Sequence, residues 1–455
     1  MPTLHLPPGP KGRLLIGHLP EINRDILTFF TQCAREYGDV VRWQFGPFPA
    51  IMINHPNLIE EVLVTQQPNF VKSSVYRRGL RVLGNGLVTS EGSFWQRQRR
   101  LMQPAFHHER IVAYADVMVA YTNRLIEEWQ DGQIRDIYKD MMSLTEEIVS
   151  KTLFDVDIRN EVFGLQAAFA TVMDFNAQLS NQYLLPGWIP TPSNLRYQQA
   201  IQQLDAIVYR IINERRKSSK DRGDLLSLLL LVRDESDGTG MTDKQVRDEV
   251  MTLLLAGHET TAIAMTWIWF LLSQHPQVEA KLQQELKTVL GDRSPTVADL
   301  RQLPYTQRVV LEGMRLYPPV YGMSRVALHD CVLGGYDIKA GTTIFIAQWV
   351  MHRDSRFFEN PDVFDPDRWT NNLQKRLPTF AYFPFGGGAR ICIGKSFAMM
   401  EATLLLAAIA RSFRLTLQPN YPVAFLPSLT LRPKHGMKMQ LHRQRNLAEC
   451  ENSKG

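Results

Sequence analysis

The sequence predicts a mainly α-helical protein with a smaller β-rich part, arranged around one long central helix. Apolar residues recur at i, i+3 and i+4 through successive segments between residues 93 and 317. Runs rich in β-branched and aromatic residues cluster near 35–60, 318–350 and 420–442. No internal repeat and no Gly/Ser-rich or Pro-rich linker divides the 455 residues, so one body spanning 1–455 is expected.

In chain order, Val40–Phe45 and Ala50–Ile53 read as strands joined across Gly46-Pro47. Helical spacing then covers 93–103, 109–130, 140–153, 160–178 and 194–219. Thr242-Asp243-Lys244-Gln245 is a capping box: the Thr hydroxyl takes the N3 amide and the Gln side chain returns to the N-cap. With no proline until Pro276, that helix runs for about 30 residues, roughly 45 Å at the helical rise, enough to cross a whole domain. A further helix over 295–317 stops at Pro318-Pro319. Strand signals return around Gly334-Gly335-Tyr336 and Thr342–Ile346, followed by a loop rich in Pro, Asp and Asn to about 381. Ser396–Phe413 reads as an amphipathic helix, and Leu429–Leu431 with Met437–Leu441 as a terminal hairpin.

A 44% hydrophobic, 21% charged composition supplies a large core and argues against disorder. Net charge of +5, with no basic stripe interleaved with aromatics, argues against nucleic acid. Cys33, Cys331, Cys392 and Cys450 lie far apart without a C-x-x-C pair, which excludes a compact disulfide framework and suits a reducing, cytoplasmic setting. Pro7-Pro8-Gly9-Pro10 arrives before any apolar run long enough for a leader or anchor. The longest apolar region, 250–272, is interrupted by His258-Glu259-Thr260-Thr261, so a buried helix is expected there.

Phe385-Gly386-Gly387-Gly388-Ala389-Arg390-Ile391-Cys392-Ile393-Gly394-Lys395-Ser396 carries the most chemistry. A phosphate loop needs a glycine five residues before Gly394, where Ala389 stands, and Pro384 spoils the strand that should lead in. Cys392 precedes a helix start, with Arg390 nearby and Gly388 and Gly394 permitting close approach of a flat ligand. Such surroundings favour a thiolate and metal ligation. A lone cysteine is otherwise a small buried hydrophobe, the reading taken for Cys33 and Cys331; Cys450 lies in a polar tail. One cysteine without a nearby histidine is short of ligands for structural zinc, whereas an axial thiolate on haem iron needs one.

Phe385, Gly388, Arg390, Cys392 and Gly394 fill every fixed position of F-x-x-G-x-R-x-C-x-G, and the chain resembles the cytochrome P450 haem-thiolate monooxygenases, a soluble bacterial-type member in particular. The resemblance implies that family's fold, with the long helix over a haem, and makes Cys392 the iron ligand. Other segments agree. Glu312-Gly313-Met314-Arg315 looks like the family's E-x-x-R helix, and Phe364–Trp369 like the segment whose arginine, Arg368, completes a structural network; Asp367 stands where Glu is commoner. Taken alone, an i, i+3 pair such as Glu312–Arg315 is an ordinary surface feature worth tenths of a kcal/mol.

Ala256-Gly257-His258-Glu259-Thr260-Thr261 matches A/G-G-x-E/D-T-T/S, which gives Glu259 and Thr260 proton delivery during dioxygen activation. Glycine and threonine disfavour mid-helix positions, so a distorted turn is expected there; the alternative for Thr260 is a hydroxyl bonded back to the preceding turn. His258 reads as a structural residue. The family's W-x-x-x-R helix is matched by Trp95 and Arg99, and with Arg325 and Arg390 these would hold the haem propionates; simple solvation is the alternative for the arginines.

The implied cofactor is haem b, with NAD(P)H serving indirectly through a ferredoxin or flavodoxin-type donor and its reductase, since the matched motifs leave no room for an electron-transfer domain. Arg97, Arg100 and Lys395 would form a landing area for that donor or else plain solvated charge. The implied distal pocket draws on Leu87, Phe175, Leu185, Ala256, Val320 and Leu429, with Tyr76, Tyr183, Leu184, Leu254 and Trp188 nearby. This apolar inventory favours a fatty acid or terpenoid, with Arg77 or Arg78 as a conceivable carboxylate anchor or as surface residues. The expected reaction is hydroxylation or epoxidation by a monomeric enzyme. A peroxide-using or non-reductive isomerase or dehydratase of the same haem-thiolate type is the alternative.

Overall fold

A computed structural model describes residues 5–73, 80–156, 162–177, 189–218, 221–234 and 238–444, without the side chains of 162–166 and 176–177. Its helices are α1 (Leu19–Tyr37), α2 (Pro56–Glu60), α3 (Gly92–Met102), α4 (His108–Ala113), α5 (Ala115–Glu128), α6 (Ile137–Phe154), α7 (Val162–Ala177) and α8 (Pro192–Ser218). They continue with α9 (Leu225–Leu231), α10 (Asp243–Gln274), α11 (Pro276–Leu290), α12 (Pro304–Leu316), α13 (Gln348–Met351), α14 (Leu373–Arg376) and α15 (Lys395–Ser412). The strands are β1 (Val40–Phe45), β2 (Phe48–Ile53), β3 (Phe70–Val71), β4 (Ile134–Asp136), β5 (Met323–Ala327) and β6 (Cys331–Leu333). β7 (Tyr336–Ile338), β8 (Thr343–Ile346), β9 (Phe413–Leu417), β10 (Phe425–Pro427), β11 (Leu431–Pro433) and β12 (Lys438–Arg443) are the remaining strands among the described residues.

Helix α10 is the central strut. Its 32 residues begin at the capping box, with both reciprocal bonds present between Thr242 and Gln245. It packs against α6, α8, α12 and α15, and from Val246 to Leu272 its surface is buried almost throughout. Among the described residues no helix is long and apolar enough to cross a membrane. Gly257 lets α10 approach α6 closely, because an added Cβ would stand 3.1 Å from Val149. The helix continues through Ala256–Thr261 without the expected distorted turn; the hydroxyls of Thr260 and Thr266 instead bond back to carbonyls four residues earlier.

The β-rich part joins strands distant in sequence. One sheet has the order β1-β2-β8-β5-β3, with β2 and β8 parallel and the other pairs antiparallel. Its buried face, including Ile51, Ile53, Ile344 and Ile346, forms a core of its own with Phe380 and Phe383. This places the sheet directly beneath the chain that enters the cysteine loop.

Four sequence expectations change. The helix expected over 109–130 is two helices that meet at Tyr114, whose ring packs against Phe397. That expected over 295–317 divides into a 3-10 turn, Val297–Gln302, and α12; Pro304 disfavours helical geometry at Leu303, which sits at φ −112°, ψ 50°. α15 is not amphipathic, since every residue from Met400 to Ala410 is buried. The expected terminal hairpin does not form: β11 pairs with β10, while β12 lies between β9 and β4. Pro433 ends β11, and in β12 the inward side chains Met439 and Leu441 join the helical core.

Candidate active site

The cysteine loop is set by close backbone contacts. Gly386 and Gly388 have φ of +70° and +64°, and a Cβ on Gly388 would meet the Leu63 carbonyl oxygen at 2.1 Å. The loop then closes on itself. The Cys392 amide donates to the Phe385 carbonyl at 2.9 Å, Ile391 N–H to Gly388 at 3.1 Å, and Arg99 Nη1 to the Ile391 carbonyl at 2.8 Å. Cys392 is solvent-accessible yet lies deep among protein atoms, as a residue lining an interior cleft does. Burial pushes its thiol pKa up, opposed by the Gly394 amide, Arg99 and Lys395. Burial wins, so the protein alone favours the thiol over the thiolate that the sequence reading expects, and a bound metal cation would have to reverse that balance.

Behind the loop, Glu312 and Arg315 are both 0% exposed, far from the surface pair that their spacing alone suggests. Glu312 accepts from Arg315 Nη2 at 2.8 Å and Nε at 2.9 Å, from Arg368 Nε at 2.9 Å, from Trp369 Nε1 at 2.8 Å and from the Asp365 amide at 3.0 Å. Arg315 spends its remaining donors on the carbonyls of His352, Pro361 and Val363. Both charges are thus paired and saturated with hydrogen bonds, the condition under which buried ions are tolerated. Asp367 takes no part, pairing outside with Lys281. From this cluster His352 and Gln348 reach the loop: His352 Nε2 accepts the Phe383 amide at 3.0 Å, and Gln348 Nε2 donates to the Phe383 carbonyl at 3.1 Å.

On the other side of the loop, cations gather. Arg390 donates to the Ser90 carbonyl, pairs with Glu91, and stacks over the Trp95 ring at 4.2 Å. Lys72 is half-buried beside Arg390 and Arg325; desolvation first, then those two guanidiniums, hold its ammonium well below the usual lysine range, while Glu91 opposes them. Such a cluster suits a further anion. Arg97 and Arg100 are not a free basic patch, because both pair with Asp234, at 3.0 and 2.8 Å. Lys395 remains exposed.

Along α10, Ala256 is exposed and Gly257 and Thr260 half-buried within an otherwise enclosed stretch, so this turn faces accessible space. Thr260 Oγ1 donates to the Ala256 carbonyl at 2.8 Å, as in its structural reading, which leaves its lone pairs to accept. Glu259 is buried, accepts from Thr430 Oγ1 at 3.0 Å and lies 3.4 Å from Arg432; burial raises its carboxyl, with Arg432 and Thr430 opposing. His258 is a core residue, its ring bonded to the Leu254 carbonyl and its pKa lowered by burial to about 4.

Of the expected pocket residues, Leu87 is buried and anchored to α10 through its amide, which donates to Glu249 at 2.9 Å. Val320 and Leu429 are half-buried on segments joined by the Tyr321 hydroxyl, which donates to the Ser428 carbonyl at 2.8 Å. Phe175 stacks on Tyr197 at 4.1 Å under Arg81, a contact that occupies one face of its ring. Leu185, together with Tyr76, Arg77, Arg78, Tyr183, Leu184, Trp188 and Cys450, lies outside the described residues. Lys72, Glu91, His352, Trp369, Thr430 and Arg432 join the site only in three dimensions. Trp369 alone had a local signal, standing beside Arg368.

Residues 7–440 match the family described as Cytochrome P450. The chain belongs to the cytochrome P450 family. It is similar to cyclooctatin synthase of Streptomyces melanosporofaciens, 38% identical over 93% of this chain and 92% of that protein. It is also similar to pentalenene oxygenase of Streptomyces avermitilis, 36% identical over 94% and 95%. The crystal structure of the cytochrome P450DA heme domain superposes with a TM-score of 0.89 at 30% identity, covering 97% of this chain and 99% of that one. This P450 is a haem-thiolate monooxygenase, and its family implies haem b. The residues present fit that group: an accessible thiol in a glycine-shaped loop, and a cationic cluster suited to carboxylates.

Proposed function

We propose that this P450 inserts one atom of dioxygen into an apolar, unsaturated terpenoid, by hydroxylation or epoxidation, with Cys392 as the haem ligand. The other oxygen atom leaves as water, consuming two electrons and two protons. The observation that carries the reading is the exposed thiol of Cys392 in a loop clamped from behind by the buried Glu312 network through His352. When bound, haem supplies the activation of dioxygen.

The chain's own residues do the rest. Trp95, Arg99, Arg325, Arg390 and Lys72 hold the propionates and the loop; Phe385 closes the loop through its carbonyl. Glu312, Arg315 and Arg368 keep the loop in register. Glu259 supplies protons, and Thr260, its own hydrogen committed to Ala256, accepts a hydrogen bond at the reacting centre. Leu87, Ala256, Val320 and Leu429 give the substrate an apolar wall. The terpenoid class is supported by relatives named for an alkene, pentalenene, and for an unsaturated alcohol, cyclooctat-9-en-7-ol. Electrons come from a separate ferredoxin or flavodoxin-type protein, ultimately from NAD(P)H, in a cytoplasmic monomer.

The test is turnover under isotopically labelled dioxygen with a ferredoxin and its reductase, using cyclic terpenes whose binding shifts the haem spin state. One labelled oxygen in the product is expected. Product formed equally well without reductant from peroxide, or with no oxygen gained, would replace this reading with the non-reductive one.

A further inference from the structure

The acid on α10 has its partners on β11 and in the turn that precedes it. Thr430 donates to Glu259 Oε1 at 3.0 Å, and Arg432 Nε, on β11, stands 3.4 Å from the same oxygen. Tyr138, at the start of α6, lies near enough for its phenol to feel Glu259, Arg432 and Asp174. Arg432 also reaches outward: its Nη1 is 3.6 Å from Oδ1 of Asp174 on α7. The side chains are graded from surface to core, Asp174 being 75% exposed, Arg432 9% and Glu259 2%. His258, the titratable neighbour on α10, turns to the Leu254 carbonyl instead.

Arg432 is held loosely. Its Nε and Nη2 are buried without a hydrogen-bond partner among the described residues, and its two ionic contacts are longer than charge-assisted hydrogen bonds of about 2.8 Å. A guanidinium so placed can favour either carboxylate. It cannot carry a proton itself, because arginine stays charged. What it controls is which form of Glu259 is stable: against the acid it favours the carboxylate, and drawn towards Asp174 it leaves burial to favour the protonated form.

We propose that Arg432 is a positioning residue, a latch shared between Asp174 and Glu259, whose movement towards Asp174 lets Glu259 take up the proton it delivers. The proton comes from solvent at the Asp174 end, and an O–H bond forms on the Glu259 carboxylate as the ion pair opens. The proposal rests on the monooxygenase reading and adds the control of its acid. Because Asp174 lies on α7 next to Phe175, an apolar ligand that shifts α7 would also shift the latch.

The test is infrared titration of the purified holoenzyme, following the protonated-carboxyl band that disappears in E259Q. In R432Q the midpoint of that band should move up, and in D174N, where Arg432 loses its outer partner, it should move down; R432K should return it towards wild type. The alkaline limb of product formed per electron should follow in the same opposite directions, so that the two variants differ severalfold where wild type is half-maximal. Asp174 is exposed, so D174N decides the matter even if R432Q fails to fold. A midpoint unmoved in D174N, or moved upward, overturns the latch. Loss of oxygenation in wild type with the infrared shifts intact would instead overturn the monooxygenase reading alone.

Discussion

His352 accepts the backbone amide of Phe383 at Nε2, 3.0 Å away, while its own carbonyl accepts from Arg315 at 2.8 Å. One buried residue thus bridges the Glu312 cluster and the segment leading to Cys392. The ring can accept only when neutral, and burial, reinforced by Arg315 and Arg353, lowers its pKa to about 3.

That neutrality sets an acid limit. Above about 6.5 both folded and unfolded chains hold this histidine neutral; below it the unfolded chain takes up a proton that the folded one refuses, so stability is lost as pH falls from 6.5 towards 3. His258, lowered to about 4, adds to the same slope. H352Q, which keeps an acceptor without titrating, should melt with a shallower dependence between pH 6.5 and 4. An unchanged slope would remove His352 from the account.

Glu401 has the opposite sign. Both its oxygens are buried without a hydrogen-bond partner among the described residues, and burial raises its carboxyl to about 8 despite the nearby Thr261 hydroxyl. A folded pKa raised above the ordinary 4.5 contributes stability below 4.5 that is lost as pH rises through about 8. E401Q should therefore flatten the decline of melting temperature over that window, measured by calorimetry.

Glu312 is the shared acceptor of Arg315 and Arg368, so E312A strands two buried guanidiniums. The expected cost is about 3–5 kcal/mol, with bound pigment lost before the chain unfolds in denaturant. Retention of full haem content by E312A would mean that the network does not support the loop.

Two motif glycines should behave differently. G388A places a Cβ 2.1 Å from the Leu63 oxygen at a φ of +64°, which costs about 1–3 kcal/mol of strain. In G394A the nearest atom is Cys392 Sγ at 3.9 Å, an ordinary contact at a φ of −86°. Denaturant melts should separate the two, with G394A near wild type.

Local signals were readable wherever one segment carries its own physics. The Thr242 capping box, the β1–β2 hairpin and the cysteine loop are each complete within a short local segment. Long-range pairing was not readable. β12 chooses β9 and β4 over β11 because its buried side chains fit the helical core, which no local pattern states. The same holds for the site: Cys392, Glu259 and Glu312 lie in motifs, but Lys72, His352 and Arg432 gain meaning only from neighbours far away in the chain. Arg97 and Arg100 mislead for the converse reason, since Asp234 was not visible as their partner.

The most direct measurement is the absorption spectrum of the reduced protein under carbon monoxide, for wild type and C392H. Thiolate ligation predicts a Soret band far to the red of the histidine-ligated position in wild type, and its return to that position in C392H. A wild-type band already at the histidine-ligated position would contradict the assignment of Cys392 and the chemistry built on it.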